Sequence, residues 1–235
     1  MVSGKPIIMA LLSDPQNHMT GLQWSALRKF FSSPLSAQFF LTGGTALAGF
    51  YFNHRTSVDL DFFTLQTFDH RKLKEYLEAI ARSVGGGYEV KTDADSLLTG
   101  LIKVGEESLK VDLVQDIPVH FGALQTAGAI RVDALENIGS NKITAIYGRL
   151  APKDFVDLYW ILEVDKKLDF EELLEAAKKK DLGVVNFHLG MIFRSPPPPD
   201  SFPATTPAVK AETIIGFFKQ LGEKLVKRSE KPRFG

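Results

Sequence analysis

The segment Val58-Asp59-Leu60-Asp61-Phe62-Phe63 constrains this chain more than any other. Its alternation fits a strand, in which successive side chains face opposite sides. Ser57, Asp59, Asp61 and Phe63 then share one face, while Val58, Leu60 and Phe62 share the other and enter a core. Two carboxylates so arranged are about 7 Å apart at Cα level and can converge on one small cation. Taken alone, the pair has a plainer explanation: a half-exposed strand with a solvated polar face.

The preceding residues add to it. Gln38–Leu41 reads as a strand running into the turn Thr42-Gly43-Gly44-Thr45, and the apolar run Ala46–Phe52 as a buried helix. A strand, a glycine turn and a helix together present free backbone N–H groups at a helix N-terminus, which favours an anion such as phosphate. Glycine permits the tight turn and the close approach of a ligand. A third carboxylate, Asp112, projects from the polar face of a later strand in which Val111 and Leu113 alternate with Lys110, Asp112 and Val114. Three carboxylates from two strands make an all-oxygen set suited to Mg²⁺ or Mn²⁺. With no cysteine and five scattered histidines, zinc is the poorer fit.

Composition bounds the rest. The 235 residues are 44% hydrophobic and 24% charged, ordinary values for a globular chain. Absence of cysteine excludes a disulfide framework and a thiol nucleophile. The 28 basic and 28 acidic residues cancel, so composition gives no support to a generic nucleic-acid binder. Lys178-Lys179-Lys180 and the tail residues Lys224, Lys227, Arg228, Lys231 and Arg233 read as solvated helix faces first and basic patches second. The run Ile7–Leu12 makes a poor signal peptide and no later stretch spans a bilayer, so the expected location is the cytosol.

Along the chain, helices are expected at 21–33, at Asp69–Val84 before Gly85-Gly86-Gly87, at 133–147, 153–162 and 170–180, and at 209–228 with Ile214, Ile215, Phe218 and Leu221 inward. Strands are expected at Val58–Thr64, Tyr88–Thr92, Leu98–Val104 and Leu109–Val114, with a hairpin over Gly105–Ser108. Asp133 is the expected N-cap of its helix, with Glu136 completing a capping box. Residues 196–207, opening on four prolines, read as an extended polyproline crossing. The fold class is α+β: a mixed sheet flanked by helices over residues 1–125, then a helical region over 126–235.

The strings Leu41-Thr42-Gly43-Gly44-Thr45-Ala46-Leu47-Ala48 and His54-Arg55-Thr56-Ser57-Val58-Asp59-Leu60-Asp61-Phe62-Phe63 resemble the signature of polymerase-β-like nucleotidyltransferases. More narrowly, they are similar to the AbiEii/AbiGii toxin group of bacterial abortive-infection toxin–antitoxin systems. The resemblance spans about residues 38 to 163. It implies a polymerase-β-like core and transfer of a nucleotidyl group from an NTP to an acceptor hydroxyl. RNA, such as a tRNA end, is the acceptor it suggests; a small-molecule or protein hydroxyl stays open, and an antitoxin is an implied partner. Asp59, Asp61 and Asp112 would hold the metals, and Gly43, Gly44 and Thr45 would cradle phosphates.

Two helical features fit that site. Lys142 lies at helical spacing with Leu135, Gly139 and Ile146, the face expected to be buried. It either snorkels to solvent or carries its ammonium to a triphosphate past the small Gly139. Asp157 sits on an apolar stripe and needs a partner: Lys153, Lys142 or Arg149. The resemblance makes it a candidate for positioning or deprotonating the attacking hydroxyl; the alternative is a buried ion pair bracing two helices. Arg55 could meet a phosphate, or pair with Asp59 or Asp61. Two rival readings remain: a catalytically silent nucleotide- or partner-binding module, suggested by the unrecognised segment after residue 180, and an aminoglycoside-type small-molecule transferase.

Overall fold

The computed structural model describes residues 19–229. The run Ile7–Leu12 and the tail residues Lys231 and Arg233 lie outside the described residues. The chain forms two compact units, Met1–Ala134 and Leu135–Gly235.

In the first unit, β1 (Phe40–Thr42), β2 (Leu60–Thr64), β3 (Gly87–Ala94), β4 (Leu97–Val104), β5 (Glu107–Gln115), β6 (Gln125–Ala127) and β7 (Ile130–Val132) make one mixed sheet. Its order is β3-β4-β5-β2-β1-β7-β6. The pairs β2–β5 and β1–β7 are parallel and the other neighbours antiparallel. Because β6 and β7 belong to this sheet, the boundary between units falls after Ala134 rather than at residue 125.

Register explains the core. Leu98, Leu113, Phe62, Leu41 and Val132 pair in one row across five strands, and each is essentially inaccessible to solvent. Helix α1 (Gly21–Phe31) covers part of this surface. Its start is fixed by a capping box between Thr20 and Gln23, and it buries Ala26, Leu27, Phe30 and Phe31. The Phe30 ring stacks on Phe62 with centroids 3.9 Å apart. Each such burial is worth roughly 1.5–3 kcal/mol. Helix α2 (Gly43–Ala46) follows β1 directly. Helix α3 (His70–Ser83), capped by the Asp69 carboxylate, turns Leu73, Leu77, Ile80 and Ala81 inward.

Two local expectations change. The glycines are the opening of α2 rather than a turn before it, and the helix continues in π-helical form over Leu47–Phe52. β2 starts at Leu60, not Val58, and Val58 is 58% exposed instead of entering the core. The reason lies with distant side chains: the Gln23 amide donates to the Ser57 and Asp59 carbonyls, and the Thr45 hydroxyl donates to the Asp59 carbonyl. Side chains thus take acceptors that a longer strand would have given to its neighbour.

The second unit is helical: α4 (Leu135–Arg149), α5 (Pro152–Tyr159) with a π-helical continuation Trp160–Asp165, α6 (Phe170–Lys180), α7 (Asn186–Arg194) and α8 (Ala211–Ser229). Leu150, at φ 52°, makes a left-handed corner between α4 and α5. Phe155, Phe193 and Phe218 meet edge to face or tilted in the core. Helix α7, absent from the sequence expectations, crosses α8 so closely that a Cβ on Gly222 would lie 2.6 Å from the Gly190 carbonyl oxygen. The buried face of α8 is Ile214, Phe218, Gly222, Leu225 and Val226, with Ile215 and Leu221 half-buried. The proline-rich stretch is broken by a 3₁₀ turn at Pro199–Ser201. Among the described residues no helix is long and apolar enough to cross a membrane.

Candidate active site

One residue along the strands from the apolar row runs a polar one. Thr99 of β4 pairs with Asp112 of β5, Asp112 with Asp61 of β2, and Asp61 with Thr42 of β1. Directly paired residues project from the same face, and neighbouring strands are about 4.8 Å apart. The register therefore brings Asp61 and Asp112 side by side, as the alternation within each strand anticipates. Asp59 lies one residue before β2.

The glycines make room for this row. Gly43 adopts φ +70°, and a Cβ there would lie 2.7 Å from Asp61 Oδ2, so the carboxylate rests against bare backbone. A Cβ on Gly44 would strike the Arg55 guanidinium and approach Ser57 Oγ at 2.9 Å. Arg55 is buried, and its Nη1 donates to the Thr56 carbonyl at 2.9 Å. Thr45 reaches Ser57 Oγ at 2.9 Å. The Asn53–Asp59 segment is thereby latched onto α2.

Asp133 anchors the other side of that segment. Its carboxylate accepts from the Thr42 hydroxyl at 2.5 Å and the Ala134 N–H at 2.8 Å, and lies 2.8 Å from His120 Nε2. The Tyr51 hydroxyl donates to its carbonyl at 2.6 Å. Since α4 begins only at Leu135, the carboxylate expected to cap that helix chiefly ties down the ends of the glycine-bearing segment.

Sequence reasoning passed over Lys110. Its ammonium lies 2.5 Å from Asp112 Oδ2, while the Thr99 hydroxyl donates to Asp112 Oδ1 at 2.7 Å. Burial works against the Lys110 charge, but the hydrogen bond and charge of Asp112, with the charges of Asp59 and Asp61, hold it above the ordinary lysine range. All three carboxylates thus act on one cation. Among the described residues no three His, Cys, Asp or Glu are gathered into a ready-made metal cluster. The donor set still fits a hard divalent ion: it is all oxygen, and a cation already stands within its field. The signal for Lys110 was its place two residues before Asp112 on the same strand face.

In the second unit Lys142 does not snorkel. It is 5% exposed, with Nζ 2.8 Å from Asp154 Oδ1 and 2.7 Å from Asp157 Oδ2; both aspartates are fully buried. Arg149 adds a second cation to Asp154, with Nε 2.8 Å from Oδ2. Of the partners weighed for Asp157, Lys142 contacts it. Burial opposes the Lys142 charge, yet Asp157 and Asp154 outweigh it and raise its pKa. The space over Gly139 is not a channel for Lys142, because a Cβ there would meet Leu173 Cδ1 at 2.7 Å.

Comparison with known proteins bears on the fold and the family. Two crystal structures share the fold at 17% identity. One is a candidate nucleotidyltransferase from H. pylori, with a TM-score of 0.58 covering 95% of this chain and 96% of that one. The other is JHP933 from Helicobacter pylori, with a TM-score of 0.55 covering 92% and 93%. A search of curated proteins finds no match. The nucleotidyl transferase AbiEii toxin family of type IV toxin–antitoxin systems matches residues 25–212, well past the motifs that carried the resemblance. With that match over most of its length, the chain belongs to the AbiEii nucleotidyltransferase toxin family.

Proposed function

We propose that this chain moves a nucleotidyl group from a nucleoside triphosphate to an acceptor hydroxyl, using Mg²⁺ or Mn²⁺ held by Asp59, Asp61 and Asp112. One observation carries the reading: Asp61 and Asp112 stand in register on adjacent parallel strands, with side-chain-free Gly43 against Asp61. The bound metal would supply Lewis-acid charge to the triphosphate and the acceptor oxygen. Asp112 is assigned the acceptor side, where it takes up the hydroxyl proton. Backbone N–H groups of Gly43, Gly44 and Thr45 face the phosphates, since the first turn of a helix has no internal acceptor for them. Arg55 and Lys142 offset phosphate charge. Asp157 orients the attacking hydroxyl, and its contact with Lys142 gives it the further task of holding that ammonium. The roles of Lys142 and Asp157 rest on the motif resemblance.

RNA, with a tRNA end foremost, is the proposed acceptor, the cytoplasm the proposed location, and an antitoxin the partner that the family implies. Purified protein incubated with labelled NTP, Mg²⁺ and total RNA should label RNA, and Asp59→Asn should abolish the label. No transfer by the wild type, or equal transfer by the variant, overturns the reading. An aminoglycoside in place of RNA tests the small-molecule alternative in the same assay. The silent-module reading drew on the segment after residue 180, in which α7 and α8 contribute buried residues to the second unit.

A further inference from the structure

Both oxygens of Asp112 are engaged, one by Thr99 and one by Lys110. These partners differ in what they allow. A carboxylate oxygen has a second lone pair, so the Thr99 hydroxyl can remain while Oδ1 also meets a cation. An ammonium and a divalent ion on the same oxygen repel each other, so Lys110 and a metal compete for Oδ2. The Lys110 side chain is 43% exposed against 14% for Asp112. Its flexible stem can carry the charge out to water, whereas the aspartate is fixed by the sheet. The charges of Asp59 and Asp61 also favour the ammonium where it stands.

We propose that Lys110 is a resident counter-ion of the carboxylate row, which a divalent cation must displace from Asp112, so that Lys110 raises the metal concentration the site requires. This rests on the reading of Asp59, Asp61 and Asp112 as metal ligands. Lys110 is then a positioning residue: it holds Asp112 while the metal is absent and withdraws when it binds.

Titration calorimetry of the full chain with Mn²⁺ alone, without nucleotide, tests this directly. Lys110→Met and Lys110→Gln should each bind Mn²⁺ about fivefold more tightly than wild type at low salt, in keeping with a partly exposed ion pair. The gain should shrink as salt rises. Lys110→Arg, which keeps the charge, should stay near wild type. Equal or weaker Mn²⁺ binding by folded Lys110→Met and Lys110→Gln, with wild type binding normally, overturns the proposal alone. Absence of Mn²⁺ binding in wild type and variants overturns the metal reading and the proposal together, and Asp61→Asn, which should bind weakly or not at all, tells specific from stray binding.

Discussion

Lys110 and Lys142 each meet aspartates at hydrogen-bonding distance, but their surroundings differ. Lys142 lies among helices, 5% exposed, with two fully buried carboxylates and Arg149 completing a neutral set of two cations and two anions. Lys110 is on a strand face, half in water, and is outnumbered by three carboxylates. The first cluster is closed: removing any member strands a buried charge. The second is open to water, so another ion can reach it. A cluster sealed from water holds its ions in place, whereas one open to water can exchange them.

The largest effect should come from Lys142→Met. It leaves Asp157 without its ammonium in a dry core and should cost about 3–5 kcal/mol in urea unfolding. A cost under about 1 kcal/mol would show that water already reaches the cluster, and the contrast would fail. Alkaline pH sharpens the same point. Because the Lys142 pKa is raised in the folded state, its contribution is complete below the unfolded value of about 10.4 and fades as pH climbs through the folded one. Wild type should therefore lose stability in that window by an increment that Lys142→Met lacks.

A smaller change is expected from Gly43→Ala. A left-handed alanine costs roughly 1–2 kcal/mol, and its methyl would push the Asp61 carboxylate. Mn²⁺ affinity should fall well beyond what the melting curve suggests. If affinity and stability fall only in step, Gly43 shapes the chain and not the site. The smallest effect on stability belongs to Lys110→Met, within about 1 kcal/mol in metal-free protein, as for a partly exposed pair.

Much of the first unit was legible because its signals are local. Period-two alternation found β2 and β5, Asp69 marked the start of α3, and the spacing of the glycines from Asp59 and Asp61 singled out the segment that the structure draws together. In the second unit, helical spacing placed Lys142 on a face expected to be buried but left open whether its ammonium snorkels to water, which it does not. The missed features depend on distant partners. β6 and β7 are three residues each and exist by pairing, β7 onto β1 and β6 onto β7. Helix α7 starts at Asn186, and its N-cap position is Val185, which offers no side-chain cap, so only its packing against α8 marks it. Val58 looked like a core residue because the claims of Gln23 and Thr45 on nearby carbonyls come from elsewhere in the chain. Lys110 shared a strand face with Asp112 in the sequence, but nothing in its own strand shows that β2 lies alongside.

The row from Thr99 to Thr42 crosses four strands at right angles to the chain, so no continuous stretch of sequence contains it. A growing chain holds Asp59 and Asp61 long before it holds Asp112, and a slip of one residue in any pairing would send a member to the opposite face. Chemistry that depends on this row is therefore withheld until the sheet has closed in register. For a member of a toxin family, incomplete folding is itself a safeguard.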